Sequence, residues 1–437
     1  MHALRGPLRP DAGFSREARG MGVSGDPTAG LVPGAPASPA PDRAVPDPAA
    51  AAGPYFGDGL AIGPDLEGAA EVALAQALAP LDGAAPDLVC VFVAAGVPAR
   101  AAASTSPARQ VMSACGAGTT IGATAGGVCG DGRGVDRGPA VAVWAATLPG
   151  ARLRPFRPDA RGEGLPPLDG DEQAAVLLVD PHTFPLAGFL PHTGALPTVG
   201  GLASARGGPG SNRLFLDGEV FAHGAVGLLV GGDVAVGTAV SQGCRPTGPP
   251  MTVTRAERNV LYELAGAPAL TRLAEVVSAH PMARRRATAR GLQLGVVVDE
   301  YVDVHPRDDF LVRGILDADE ATGALVVGDV VEVGRTVRFQ FRDAGTAAED
   351  LALLLSRKGD GPRGALLFSC AERRALLGGP DRDVRAVRDR LGGAAVAGMF
   401  ASGEIGPVGG RNHLHGHSAA GLTPWRCRRA SRSSRRR

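Results

Sequence analysis

The sequence predicts an α/β (α+β) protein of two related lobes, with mixed or mainly antiparallel sheets and helices on their outer faces. Three observations predict it. At 437 residues the chain exceeds what one hydrophobic core usually organises. Short apolar runs rich in β-branched residues alternate with stretches of helical periodicity. Two segments, residues 122–130 and 398–406, repeat a spacing: Gly122, Ala125, Gly127 and Gly130 align without gaps on Gly398, Ala401, Gly403 and Gly406, within the same order of elements.

Residues 1–53 are rich in Pro, Ala, Gly and Arg and have no hydrophobic period, which predicts a disordered leader or an upstream start site. A lobe over 54–248 follows. Leu66, Ala70, Ala73, Leu74, Ala77, Leu78 and Leu81 fall on one helical face that ends at Pro80, and the run from Asp87 reads as a buried strand. A short helix around Ala108–Cys115 leads into a glycine-rich stretch and a strand from Pro139. AAVLLVD, LPTVGGLAS, RLFLDGEV, AVGLLVG and VAVGTAVS are further strands. CRPTGPP, ending at Pro250, is the boundary to a second lobe over 249–420.

There Thr254 with Glu257 reads as a capping box opening a helix through NVLYELAG, and Pro268 suits the first turn of the next helix. Strands are expected at LQLGVVVDEY, DFLVRGIL and LVVGDVVEVGRTVRFQFRD. A second capping box, Thr346 with Glu349, opens the helix EDLALLLSR, followed by the strand GALLFSC and the amphipathic helix DVRAVRDRL. By the internal repeat, a strand equivalent to the one from Pro139 should follow Arg411. Pro424 and the arginines after it argue against a complete buried strand, so residues 421–437 read as an Arg-rich tail, short of its strand or frameshifted.

Charge excludes several partners. Forty-five basic residues against 44 acidic leave no global field toward nucleic acid or membrane, except at the arginine tail. Lys358 is the one lysine, which points to a GC-rich genome and rules out a P-loop elsewhere. The six cysteines lack any zinc spacing and fit reduced thiols in the cytoplasm. No apolar stretch has the form of a signal peptide or membrane span.

The densest polar segment is residues 401–418. Gly403, Gly406, Gly409 and Gly410 bracket Glu404, Arg411 and Asn412, so the loop can offer N–H groups, one anion and one cation to a small polar ligand. Its structural alternative is a tight hairpin with Glu404 paired to Arg411. His413, His415 and His417 would share a strand face, yet no carboxylate or cysteine cluster completes a metal shell, and no metal or other cofactor is expected. Cys370 at a strand end, Cys244 with Arg245 beside it, and Gly126 and Gly127 in the first glycine-rich turn are further ligand-site candidates. An enzyme of hydrolase type would use Ser241 or Cys370 with His415, although AVSQG departs from the G-x-S-x-G elbow. The carboxylates Asp299, Glu300, Asp303, Asp308 and Asp309 read as a solvated loop.

GATAGGVCGDGR, VSQGCRPTGPPMTVTRAERNVLYELAG, DEYVDVHPRDDFLVRGIL, ALLFSC and GEIGPVGGRNHLHG together resemble the FIST N-terminal and C-terminal domains, from about residue 55 to 418. The resemblance implies a sensory module that binds a small ligand, an amino acid or a similar polar molecule, and passes its signal to a separate output protein. Relatives are aromatic where His413 and His417 stand, so only His415 matches. FSCAERR also lacks the glycine of the family's FSC-x-x-R-G pattern.

Overall fold

A computed structural model describes residues 55–96, 104–279, 291–301, 305, 307–356 and 363–426. The leader, Asp303, Lys358 and the tail beyond Arg426 lie outside them. The chain executes one plan three times. The first round is β1 (Phe56–Ile62), α1 (Leu66–Leu78), β2 (Leu88–Ala95), α2 (Thr105–Ala114), β3 (Thr119–Thr124), a hairpin of β4 (Val128–Gly130) and β5 (Arg133–Val135), and β6 (Pro139–Ala146). The second is β7 (Ala151–Phe156), β8 (Glu172–Val179), α3 (Leu186–Phe189), β9 (Thr198–Leu202), a hairpin of β10 (Leu214–Leu216) and β11 (Glu219–Phe221), and β12 (Ala225–Gly232).

The third round starts with β13 (Val234–Ser241) and is then interrupted. The insertion comprises β14 (Arg245–Pro246), β15 (Met251–Glu257), β16 (Val260–Leu264), β17 (Ala267–Pro268), α4 (Ala269–Ala279), β18 (Leu292–Val297), β19 (Phe310–Asp319), β20 (Ala324–Val327), β21 (Thr336–Phe341) and α5 (Ala344–Ser356). The round resumes with β22 (Gly364–Cys370), α6 (Ala371–Leu377), α7 (Asp381–Arg390), β23 (Ala395–Ala401), a hairpin of β24 (Glu404–Val408) and β25 (Arg411–His415), and β26 (Ala419–Arg426).

Each round gives one six-stranded mixed sheet, and each lends its hairpin to another round's sheet. The strand orders are β1-β6-β2-β3-β10-β11, β7-β12-β8-β9-β24-β25 and β13-β26-β22-β23-β4-β5. The central pairs β2/β3, β8/β9 and β22/β23 are parallel, the remainder antiparallel. One glycine marks the same place in every parallel pair: Gly122 opposite Val91, Gly200 opposite Leu177 and Gly398 opposite Leu367. A β-carbon there would stand 1.9, 1.8 and 1.7 Å from the partner's carbonyl oxygen, so a side chain is excluded sterically at all three. The duplication expected from Gly122 and Gly398 thus extends to a third copy around Gly200.

Alternation explains why these strands read as continuous apolar runs. In β2, Leu88, Cys90, Phe92 and Ala94 enter a core shared by all three sheets, while Val89, Val91 and Val93 pack under α1 and α2. Trp144, Val176, Leu178, Phe368 and Met399 meet in the shared core, and Phe92 contacts Phe368 edge to face at 6.1 Å. Outer layers cover the other faces: α5 and α7 on the third sheet, and Phe184, Leu186 and Phe189 on the second.

The insertion forms its own antiparallel barrel. Pairings run β21-β15-β16-β20-β19-β18 and close through β18 with β21, around a core that includes Val253, Leu264, Leu294, Leu325 and Phe339.

Three readings need correction. The helix expected from Thr254 is the hairpin β15–β16, turned by Arg258 at φ 53°, and Thr254 Oγ1 accepts from Gly266 N instead of capping. Leu261 and Leu264 enter the barrel core, and this packing outweighed helix propensity. α5 exists as expected, but Asp343 caps it by accepting from Thr346 N at 2.7 Å, while Glu349 pairs with Arg245. The strand after Arg411 is also present: β26 pairs with β13 from Ala419 to Arg426. Its pairing with β22 covers Ala419–Leu422, so the strand is flanked on one side by the time it reaches Pro424, where no N–H is needed.

Candidate functional site

The glycine pair Gly409–Gly410, with φ of 57° and 75°, makes the two-residue turn that joins β24 to β25. That hairpin is the edge of the second sheet, with the barrel strand β19 nearby. The intervening groove, about 970 Å³, is lined from β25 by Arg411, Asn412, His413, Leu414 and His415, from the barrel by Gln293, Val312, Arg313, Leu316 and Asp329, and from the second sheet's cover by Ala187, Leu190 and Pro191. Arg313 Nη1 donates to the Leu414 carbonyl at 3.2 Å and Nε pairs with Asp329 at 2.6 Å, tying barrel to hairpin. Asn412 is consumed by structure, since its amide holds Thr193, Leu196 and Thr198. Arg411 is exposed on the groove wall and makes no salt bridge among the described residues.

Two imidazoles complete this wall. His415 is buried, and its Nε2–H donates to the Gly406 carbonyl at 3.0 Å. Burial pushes its pKa down to about 3, so the ring is neutral and Nδ1 is a lone-pair acceptor with no partner. His413 is likewise pushed down, by burial first and then by the charge of Arg313; it donates to the Val408 carbonyl and leaves Nε2 buried without a partner. The rings stand 6.2 Å apart. His417 also borders the groove, but a φ of 58° takes it off the strand face and its ring pairs with Glu372.

Other candidate residues go elsewhere. Glu404 and Arg411 occupy opposite ends of the hairpin ladder, opposite His415 and Val408 respectively, so they neither pair nor converge. Glu404 is fully buried; Oε2 accepts from Ser418 N at 3.1 Å and Oγ at 2.7 Å, Oε1 has no partner, and burial pushes the pKa up to about 8. Cys370 is buried near it, its thiol pushed up to about 11 by burial and by the charge of Glu404. Gly403 and Gly406 are spent on packing: a β-carbon would meet Leu414 at 3.0 Å and Val240 at 2.2 Å. Arg245 is an exposed partner of Glu349. Gly126 and Gly127 lead into the β4–β5 hairpin, where Gly126 N donates to Ser204 Oγ at 2.9 Å, away from the groove. Of the carboxylates read as a solvated loop, Glu300 pairs with Arg335, and Asp309 is largely buried against His305 at 3.0 Å.

A buried polar network joins the barrel to the body beside the groove. Asp350 accepts from Ser241 Oγ at 2.8 Å and Gly243 N at 2.9 Å, and pairs with Arg307 at 3.0 Å. Arg373, wholly buried, pairs with Asp383 at 3.0 Å and reaches Ser241 Oγ at 3.3 Å. Gln242 donates to the Phe310 carbonyl and accepts from Val312 N, gripping β19 from both sides. Ser241 therefore spends its hydroxyl on Asp350, and no hydrogen bond joins His415 to Ser241 or Cys370 among the described residues. Sequence reasoning missed Arg313 and Gln340 on strands, and Asp329, Arg307 and Arg342 in the segments between strands, because single polar residues carry no local signature.

Among the described residues no helix is long and apolar enough to cross a membrane. Comparison with known proteins returns relatives over most of the chain. An uncharacterized protein of Mycobacterium tuberculosis (strain H37Rv) is 38% identical over 395 residues, covering 84% of this chain and 98% of its own length. An uncharacterized protein of Mycobacterium bovis is 37% identical over 388 residues, covering 84% and 97%. The FIST N domain matches residues 87–267 and the FIST C domain residues 269–407. FIST domains are generally described as small-ligand-binding sensory domains in signal transduction. With both of its domains matched in order over most of its length, the chain belongs to the FIST family.

Proposed function

We propose that this protein is a cytoplasmic sensor that binds a small amino-acid-like ligand in the groove and passes its occupancy to a separate output protein. One observation carries the reading: two buried imidazole nitrogens without partners lie in the same wall as an arginine that no carboxylate among the described residues neutralises. Buried acceptors normally find donors, so their vacancy favours a ligand that supplies them. In this reading the ligand's carboxylate pairs with Arg411, and its ammonium donates to His413 Nε2 and His415 Nδ1. Glu404, sealed beneath Ser418, leaves that role to the histidines. The apolar side chains of Leu190, Leu316 and Leu414 offer contact to the ligand's own side chain. The five described cysteines are free, which supports a reducing compartment.

Titration calorimetry of the whole protein against a panel of amino acids tests this. Arg411→Ala should weaken the best ligand by roughly tenfold to a hundredfold, the usual range for one charged hydrogen-bonded partner. An unchanged dissociation constant overturns the reading.

A further inference from the structure

β25 is the last strand of the second sheet: β24 lies along one of its edges, and no strand of the described residues lies along the other. The two-residue turn at Gly409–Gly410 fixes which main-chain groups face which way. It closes on Val408 opposite Arg411 as a hydrogen-bonded pair, and such pairs alternate along an antiparallel ladder, so His413 and His415 also bond to β24. The N–H and C=O groups of Asn412 and Leu414 therefore point outward. The Leu414 carbonyl agrees, since it accepts from Arg313 Nη1 at 3.2 Å. The N–H groups of Asn412 and Leu414 and the carbonyl of Asn412 have no partner among the described residues.

This edge runs along the groove, which every residue of β25 lines. Side chains alternate across a strand, so its two flanks differ. On one flank Leu414 stands with Asn412, whose amide is held by Thr193 and Leu196, and the cover adds Leu190 and Pro191. On the other stand Arg411, His413 and His415, with the barrel's Arg313 paired to Asp329. An open strand edge between an apolar flank and a basic one suits an extended peptide, which joins the sheet through its main chain and is selected by its alternate side chains. The groove's volume of about 970 Å³ is generous for one amino acid, and the five residues of β25 span about 17 Å.

We infer that β25 receives an extended segment of a partner protein as a seventh strand of the second sheet, a segment in which apolar residues alternate with an acidic residue and, two positions away, a serine or threonine. The apolar side chains lie against Leu414, Leu190 and Pro191, the carboxylate meets Arg411, and the hydroxyl donates to His413 Nε2. Charge selects against two stretches of the chain itself, because residues 280–290 and 427–437 are rich in arginine and Arg411 already brings a positive charge to this edge. A second copy's β25 is flanked by the same cover and barrel, which keeps two such edges apart. The inference goes beyond the amino-acid reading and does not rest on it, since the main chain of Asn412 and Leu414 carries it.

The test is fluorescence anisotropy of the full chain with two labelled peptides, Leu-Asp-Leu-Thr-Leu and the reverse order, which cover both strand directions. One of them should bind, and replacing its Asp by Lys should weaken it by about tenfold or more. N-methylation of alternate peptide residues separates main-chain pairing from side-chain contact: one frame should abolish binding, and the other should leave it nearly unchanged. Leu414→Pro removes an outward N–H that β24 does not use, so it should abolish peptide binding, whereas Leu414→Ala should only weaken it. Should Leu414→Pro fail to fold, the two N-methyl frames decide alone. Peptide binding with no heat from any free amino acid would sink the amino-acid reading and leave this one standing. No anisotropy change with either peptide overturns the inference, as does equal binding of both N-methyl frames. Two further results reassign the edge and overturn it as well: a dimer in sedimentation that Leu414→Pro dissociates, which gives the edge to a second copy, or peptide binding that appears only after residues 427–437 are deleted, which gives it to the chain's own tail.

Discussion

Glu404 and His415 face each other across the first rung of the β24–β25 ladder, and both are held in their neutral forms by burial. Their effects on stability have opposite signs. Glu404 has a folded pKa of about 8 against an ordinary 4.5, so between these values the unfolded chain releases a proton the folded one keeps, and stability falls as pH rises. His415 has a folded pKa of about 3 against 6.5, so between these values the unfolded chain holds the extra proton, and stability falls as pH falls. From 4.5 to 6.5 the two slopes oppose each other; above 6.5 the Glu404 term acts alone, and below 4.5 the His415 term does. Glu404→Gln removes the ionisation while keeping an acceptor for Ser418. The variant should gain midpoint temperature over wild type at pH 8 to 9, with the gain shrinking as pH falls and vanishing below 4.5, where Glu404 is protonated in both states. Parallel curves of equal separation across that range would show that the carboxyl does not titrate with folding.

At the scale of elements, what was legible followed from alternation and from glycine. The strands of the three-sheet body were readable because both of their faces are buried, which makes them apolar throughout and leaves no competing helical period, as in β2 and β8. The β24–β25 hairpin was readable from Gly409–Gly410, while the pairing of its charges was not, because register sets Glu404 and Arg411 at opposite ends of the ladder. The groove's other wall was beyond reach: Arg313 and Asp329 come from an inserted barrel, and one sequence does not say which face an insertion turns toward its host. Capping motifs misled where a helix and a hairpin shared the same letters. Thr254 and Thr346 both begin a T-x-x-E pattern, yet the first lies in β15 and the second is the third residue of α5, behind Asp343. Asp343→Ala should therefore cost about 1 kcal/mol by denaturant unfolding, the usual worth of an N-cap. Loss of the Thr346 hydroxyl in Thr346→Val should cost less, and the reverse order would return the cap to Thr346.

At the scale of the molecule, the exchanged hairpins decide which parts can stand alone. Cutting the chain between Gly248 and Pro249 separates β13 from β26 and β22, leaves β4–β5 without β23, and takes β24–β25 from the edge of β9. The core that Phe92, Trp144 and Val176 share with Phe368 and Met399 is divided by the same cut. Residues 55–248 expressed alone should then show no cooperative thermal transition, and mixing with residues 249–426 should restore one by reassembling the three sheets. The barrel differs. Its ring of pairings closes on itself, and its core is drawn wholly from Met251 to Phe339, so no strand is borrowed from the body. A fragment of residues 245–343 should unfold cooperatively by circular dichroism, at a lower temperature than in the whole chain, since Gln242 and Asp350 no longer hold Val312 and Arg307. A monomeric 55–248 fragment that melts cooperatively, or a barrel fragment that does not, would show that the exchanged hairpins are ornaments on separately stable parts instead of the ties that make the three sheets one folding unit.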